Sequence, residues 1–299
     1  MRTDTVNRPT PSDDVWTVRR ILDWTIPHLK KSGSESPRLD AEILLAHARG
    51  CPRIQLYTHF DDPLTDAQRA VMRDLVKRRS AAEPVAYLVG HREFFGLDFC
   101  VSSNVLIPRP DTETLVVEAI EWLRQQTQMQ VLDIGTGSGC IAISLAVTCR
   151  RATVTAIDLS AAAIAIAQQN AQTHGVADRS RFLHGDLFAP LADGEQFDLI
   201  ASNPPYITSA EIETLPRDIR LHEPLSALDG GPDGLDVIRR LVAHAPRFLV
   251  AGGRLLIEIA CEQADSVTRL LAANGSYEEI AVLKDLAKKP RVVRAARKS

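Results

Sequence analysis

Cysteine is scarce and carries no pairing pattern. The five residues, at positions 51, 100, 140, 149 and 261, include no CxxC spacing. That excludes a disulfide framework and a cysteine zinc site, and points to a reducing, cytoplasmic setting. Long apolar runs are missing as well. No stretch approaches ~18 consecutive apolar residues, so no membrane span is expected. The opening residues, MRTDTVNRPTPSDD, lack the apolar core of a secretion signal and read as a flexible tail over 1–14. There is no basic excess: 35 Lys and Arg against 38 Asp and Glu give a net charge of -3. A chain living on duplex DNA usually shows the opposite balance, so no direct nucleic-acid contact is required. Histidines 91, 184 and 222 have no metal-ligand spacing, and no metal is expected. No long exposed apolar repeat demands an oligomer, and a monomer is expected.

What is present is an ordinary globular composition, 45% apolar and 24% charged, over 299 residues. That length suits one large or two ordinary domains. From 15 to 89 apolar residues recur at helical spacing. Val15, Val18, Ile21, Leu22 and Ile26 form one stripe. Leu39, Ile43, Leu44 and His47 form a second, and Ala67, Ala70, Val71, Leu75 and Val76 a third. Pro27, Pro52, Pro63 and Pro84 punctuate the segment. Thr65 with Gln68 three residues on fits a capping box. The spacing predicts a small helical domain of four or five short helices, with 14 basic against 12 acidic residues over 1–90. Residues 90–108, with Phe94-Phe95-Gly96-Leu97 at their centre, read as a β-hairpin linking this domain to the next.

From 109 to 299 strands and helices alternate. Strands are expected at 131–134, 154–157, 181–184, 197–202, 254–259, 277–283 and 291–293. Helices are expected at 112–124, 140–147, 161–172, 234–249 and 262–273. The alternation predicts a doubly wound parallel α/β sheet covered on both faces.

Two segments carry chemistry. The first is Asp133-Ile-Gly135-Thr136-Gly137-Ser138-Gly139-Cys140, where the first of these strands meets its helix. Glycines there permit positive φ and close approach of backbone to a ligand. A dinucleotide fingerprint would need glycine at 140, where Cys140 stands. The departure favours S-adenosylmethionine, whose tail is an amino acid rather than a pyrophosphate. Asp158 ends the second strand and suits the ribose hydroxyls. Asp186 and Leu187 follow the third strand, where they would meet the adenine amine and ring face; a simple turn after Gly185 is the less favoured reading of the same residues.

The second segment is Asn203-Pro204-Pro205-Tyr206, at the end of the fourth strand. Proline lacks an N–H and fixes φ, so the chain leaves the sheet in a rigid extended turn. The Asn203 side-chain oxygen and the Pro204 carbonyl are two convergent acceptors, suited to a planar NH2 group. Tyr206 adds an aromatic face. An amide nitrogen is a poor nucleophile because its lone pair is delocalised. Accepting both of its N–H bonds orients it and favours pyramidalisation as a methyl arrives, with deprotonation following alkylation. Asn203, Pro204 and Tyr206 are the candidate catalytic residues. Asn203 to Tyr206 together form the candidate substrate pocket.

With both segments in place, the chain resembles the HemK/PrmC family of protein-(glutamine-N5) methyltransferases from about residue 15 onward. The shared blocks run through Pro84-Val-Ala-Tyr-Leu-Val-Gly90, Arg92-Glu-Phe-Phe-Gly-Leu-Asp-Phe99 and Asn104-Val-Leu-Ile-Pro-Arg-Pro-Asp-Thr-Glu113. They continue with 133–139, 203–206, His222-Glu-Pro-Leu-Ser-Ala-Leu228 and Asp233-Gly-Leu-Asp236. The resemblance implies a Rossmann-like S-adenosylmethionine-dependent methyltransferase sheet behind a small N-terminal helical, substrate-recognition domain. It implies methyl transfer to the glutamine of the Gly-Gly-Gln loop in peptide chain release factors, hence a role in translation termination. By position, Gly135, Thr136, Gly137, Ser138, Gly139, Asp158, Asp186, Leu187 and Asn203 would hold the cofactor. Leu187 stands where the family often has an aromatic ring. Glu258-Ile-Ala-Cys-Glu-Gln263 and Lys288 replace family glycines. Arg109 and Glu113 suit either closing the site or a salt-bridged loop, and His222-Glu223-Pro224 a structural turn. The C-terminal stretch from 284 has seven basic residues and one acidic, and reads more readily as solvated surface than as a contact.

Two other classes share features of this reading. An N6-adenine methyltransferase acting on DNA or RNA would use the same Asn-Pro-Pro-Tyr logic. A non-catalytic binding module would keep the fold, although such chains typically lose the Asn or the glycines retained here.

Overall fold

A computed structural model describes residues 15–125 and 129–299; the expected tail at 1–14 lies outside them. The chain divides into two compact units, Met1–Val89 and Gly90–Ser299.

The first unit is helical: α1 Val18–Lys31, α2 Pro37–Arg49, α3 Gln55–Thr58, α4 Asp66–Ser80 and α5 Val85–Val89. The capping box forms as the sequence predicts, with Gln68 N donating to Thr65 Oγ1 and Thr65 N to Gln68 Oε1. Pro27 does not end a helix but lies inside α1. Two of the apolar stripes are displaced. In α2 the buried face is Ala41, Leu44 and Leu45 while Leu39 and His47 are exposed; in α4 it is Met72, Leu75 and Val76 while Val71 is exposed. Leu39 and Val71 are apolar yet exposed, and including them turns the inferred face.

The second unit opens with a hairpin, β1 His91–Phe94 and β2 Leu97–Cys100, turning through Phe95 and Gly96 at positive φ. Helix α6 (Glu113–Leu123) follows a one-turn lead-in at Pro110–Thr112. Then come β3 Met129–Ile134, α7 Cys140–Thr148, β4 Ala152–Asp158, α8 Ala161–Thr173, β5 Ser180–His184 and β6 Phe197–Ser202. Two short helices not expected from the sequence, α9 Ser209–Ile212 and α10 Arg217–His222, precede α11 Asp236–His244. The unit closes with β7 Leu249–Glu258, α12 Ala264–Asn274, β8 Tyr277–Lys284 and β9 Pro290–Arg297.

Seven strands form one sheet in the order β5-β4-β3-β6-β7-β9-β8. The first five are parallel, and their central members are buried on both faces, as helices on each side require. The wholly parallel expectation fails at the far edge, where β9 runs antiparallel to both β7 and β8. Only Asp285–Lys289 joins β8 to β9, far too short for a parallel crossover. Lys288 takes φ +62 in that turn, which gives the physical reason for a glycine at such a position. The basic C-terminal stretch is partly spent internally. Arg294 pairs with Glu118, Arg291 with Asp111 and Asp285, and Arg297 donates to the Leu249 carbonyl. No helix among the described residues is long and apolar enough to cross a membrane.

Candidate active site

Chain order fixes where a ligand can sit. From β3 the chain moves outward through β4 to β5, then returns to place β6 on the other side of β3. The carboxyl ends of β3 and β6 therefore part at a topological switch point, the usual crevice of such sheets.

The glycine loop lines one wall. Gly135, Gly137 and Gly139 take φ of +74°, +56° and +82°. Gly135 N and Thr136 N both donate to the Ile157 carbonyl, at 2.9 and 3.0 Å, which bends the loop over β4. Gly137 N donates to Asp158 Oδ2 and Ser160 N to Oδ1, each at 2.8 Å. A Cβ at Gly139 would lie 2.7 Å from Ile143 Cδ1 and 3.2 Å from Ala167 Cβ. Asp133 is fully buried beneath the loop, accepting from Thr136 Oγ1 at 2.6 Å and from Ala142 N at 3.2 Å. Burial pushes its carboxyl up to about 7, and its Oδ1 has no hydrogen-bond partner.

One cavity collects most of the expected cofactor residues. Gly135, Gly137, Asp158, Asp186, Leu187, Asn203, Pro204 and Pro205 line it, with Leu106 and Ala227 across from them. Thr136 and Ser138 are buried instead, and Gly139 packs on Ile143 and Ala167; these three shape the loop. Burial raises the Asp158 carboxyl above its ordinary range, opposed by its two backbone donors. Each oxygen accepts one backbone N–H, and a carboxylate oxygen can accept another, so this cavity-lining carboxylate has the capacity for a vicinal diol. Asp186 Oδ2 accepts from Arg240 at 2.6 Å, so that carboxylate is shared with a cation at the rim. Leu187 sits at φ +50.

The opposite wall begins where Ser202 Oγ donates to the Ile134 carbonyl at 2.7 Å, tying β6 to β3. Asn203 then directs Nδ2 at Thr112 Oγ1, 3.1 Å away, and Thr112 is itself buried. Tyr206 lines an adjoining cavity with Asn203, Pro204, Leu106 and Arg109. Its hydroxyl donates to Glu258 Oε1 at 3.3 Å, and burial pushes the phenol above its usual range. Its carbonyl accepts from Gln263 Nε2 at 2.9 Å, and the same nitrogen donates to the Gly234 carbonyl at 3.1 Å.

Sequence reasoning passed over Thr112, Asn170, Glu258 and Gln263 as site residues. Asn170 clamps the glycine loop to the hairpin: Nδ2 donates to the Ser138 and Cys100 carbonyls, and Oδ1 accepts from Cys100 N. Glu258 ends an apolar strand, a position that by itself does not separate a site acid from a surface one. Arg109 resolves as a salt bridge to the buried Glu223, whose Oε2 also accepts from Ile107 N. Glu113 accepts from Phe95 N.

Two family models match the chain: one described as the PrmC N-terminal domain over residues 20–90, the other as the methyltransferase small domain over 111–217. A release factor glutamine methyltransferase of Rhodopirellula baltica is 47% identical over 95% of this chain and 97% of its own. One from Geobacter sulfurreducens is 47% identical over 89% of this chain and 92% of its own. Among solved structures, a methyltransferase from Pyrococcus furiosus matches the fold with a TM-score of 0.53 at 17% identity, over 69% of this chain and 91% of that one.

Proposed function

The chain belongs to the release factor glutamine methyltransferase family, and from that membership we propose that it methylates the side-chain amide nitrogen of a release-factor glutamine at Asn203. The observation that carries the reading is the direction of the Asn203 amide. Its Nδ2 is committed to Thr112, which leaves Oδ1 as an acceptor at the cavity that the glycine loop also lines.

Adenosylmethionine, when bound, supplies an electrophilic methyl group on an excellent leaving group. Asp158 would hold its ribose, the backbone of Gly135 to Gly137 its amino-acid end, and Leu187 one face of the adenine. Asn203 Oδ1 and the Pro204 carbonyl accept the two N–H bonds of the glutamine amide, which aims the nitrogen lone pair along the sheet edge. Tyr206 and the apolar wall of Leu106 and Ala227 exclude water around it. Nitrogen–carbon bond formation then needs no prior deprotonation, and the surplus proton leaves afterwards. Positioning of this kind contributes roughly 7–11 kcal/mol in favourable cases. The adenine alternative is not favoured, because the relatives are named for release factor glutamine.

The test uses labelled adenosylmethionine with a release factor and, separately, duplex DNA. Label on the factor alone is the expected result; label on DNA would overturn the reading.

A further inference from the structure

The oxygen of a side-chain amide only accepts hydrogen bonds and its NH2 only donates them, so backbone partners fix which way the group points. Gln263 is held in this way. Its Oε1 accepts from Ala260 N at 3.1 Å, and its Nε2 donates to the Tyr206 carbonyl at 2.9 Å and to the Gly234 carbonyl at 3.1 Å. None of these partners can exchange donor for acceptor. The residue is only 9% exposed, so the bonds lie in an interior where an unpaired polar group is costly.

The three bonds join the segment after β7, the turn after β6 and the loop before α11. That loop also meets the turn through its own backbone. Ile207 N donates to the Leu228 carbonyl at 3.0 Å, and Gly230 N to the Ile207 carbonyl at 2.8 Å. The approach leaves no room for side chains. A Cβ at Gly230 would lie 2.7 Å from the Pro205 carbonyl oxygen. One at Gly234, at φ +72, would overlap the Tyr206 carbonyl oxygen and lie 2.6 Å from Gln263 Nε2.

This seam bounds the cavity that Tyr206 lines. Its space, about 110 Å³, has Pro204, Tyr206 and Ile207 from the turn and Ala227 and Leu228 from the loop in its walls. The separation of turn and loop therefore sets the width of the slot. Pro204 and Pro205 have fixed φ, so a displacement at the Tyr206 carbonyl is passed on to the Pro204 carbonyl rather than absorbed between them. Gln263 itself lines neither this cavity nor the one along the glycine loop.

We propose that Gln263 is a positioning residue for methyl transfer: its amide holds the Asn-Pro-Pro-Tyr turn against the 227–234 loop and so sets where the Pro204 carbonyl meets the acceptor NH2. This rests on the reading in which Asn203 and Pro204 accept from a glutamine amide.

Two substitutions of similar size take the side chain apart. Gln263→Glu keeps an oxygen for Ala260 N and loses the donor to the two carbonyls, whereas Gln263→Met loses both. The experiment measures kcat and KM for a release factor with the full chain, and adenosylmethionine affinity by calorimetry. Both variants should lower kcat by up to roughly 100-fold, the scale on which a misplacement of about 1 Å acts, with KM for the factor and cofactor affinity close to wild type. Hydrogen exchange should quicken at the Ile207 and Gly230 amides, which bridge turn and loop, and stay unchanged at Gly135 and Gly137. Wild-type kcat in Gln263→Glu would mean that only the bond to Ala260 matters, and overturns the proposal. A loss of kcat matched by weaker cofactor binding, or unaltered exchange at Ile207 and Gly230, overturns it too, because the residue then supports the fold at large. Should Gln263→Glu fail to fold with its buried charge, Gln263→Met decides on the same readouts; failure of both to fold counts against the proposal. Asn203→Ala separates the two layers. If it turns over normally, the reading of Asn203 fails. If it is inactive while both Gln263 variants run at wild-type rates, only the positioning role fails.

Discussion

The two walls of the cavity are built on opposite principles. The glycine loop is a backbone device: three positive-φ glycines and peptide N–H groups folded onto Ile157 and Asp158, over a stretch of about one strand and one turn. The Asn-Pro-Pro-Tyr wall is a side-chain device. Thr112, Asn203, Tyr206, Glu258 and Gln263 come from three separate stretches of the chain and meet in buried polar contacts. A backbone cradle holds whatever fits its curvature and adds little chemistry. A buried polar network sets the direction of every donor, because a group left unpaired in a low-dielectric interior is costly. The first wall suits holding a cofactor and the second suits presenting a reactive nitrogen.

That division can be broken from either side. The largest effect expected is on Asn203→Ala, whose methyl-transfer rate should fall by the equivalent of roughly 2.7–4 kcal/mol, by analogy with one lost oxyanion-hole donor. Rapid-quench kinetics beside cofactor titration would show whether binding survives; joint loss of both would merge the walls into one unit. Asp158→Asn should do the reverse, weakening adenosylmethionine by about 1.5–3 kcal/mol, the scale of hydrogen bonds to a charged group. Calorimetry checks this, and a defect in rate with normal affinity would speak against it. Gly139→Ala adds a Cβ 2.7 Å from Ile143 Cδ1 at φ +82 and should destabilise the fold by roughly 1–3 kcal/mol in denaturant titration. Wild-type stability there would mean the loop yields more readily than its packing implies.

The smallest effect concerns pH. Glu258 and Asp133 are each raised to about 7 from ordinary values of 4.5 and 3.8. The folded state holds these protons more tightly than the unfolded chain. Their contribution to stability is full below the ordinary values and is lost as pH rises through about 7. Thermal unfolding of Glu258→Gln should therefore depend less steeply on pH across that window than the wild type; equal slopes would place the titration elsewhere.

The same contrast explains what could be read from residues alone. The strand at 197–202 falls where its apolar run predicts, and the glycine loop is visible because its determinants are neighbours in sequence. Asn203 and its two prolines are legible for the same reason. Thr112 and Glu258 are not, since nothing local distinguishes a threonine at a helix start or an acid at a strand end from ordinary surface residues. Their partners lie 91 residues away for Thr112 and 52 for Glu258. The antiparallel edge was lost for a related reason: periodicity reports a strand, whereas its direction is set by the short turn at Asp285–Lys289. The helical faces of α2 and α4 shifted because Leu39 and Val71 are apolar yet exposed, and hydrophobicity alone does not reveal exposure.

The central claim is that the Asn203 wall presents one planar amide nitrogen for methylation. Mass spectrometry of the methylated release factor tests it most directly, with the loop glutamine intact and with that glutamine changed to alanine. The account predicts a single methyl group on the side-chain nitrogen of the loop glutamine and none on the alanine variant. A methyl group on any other atom, or equal methylation of both forms, would contradict it.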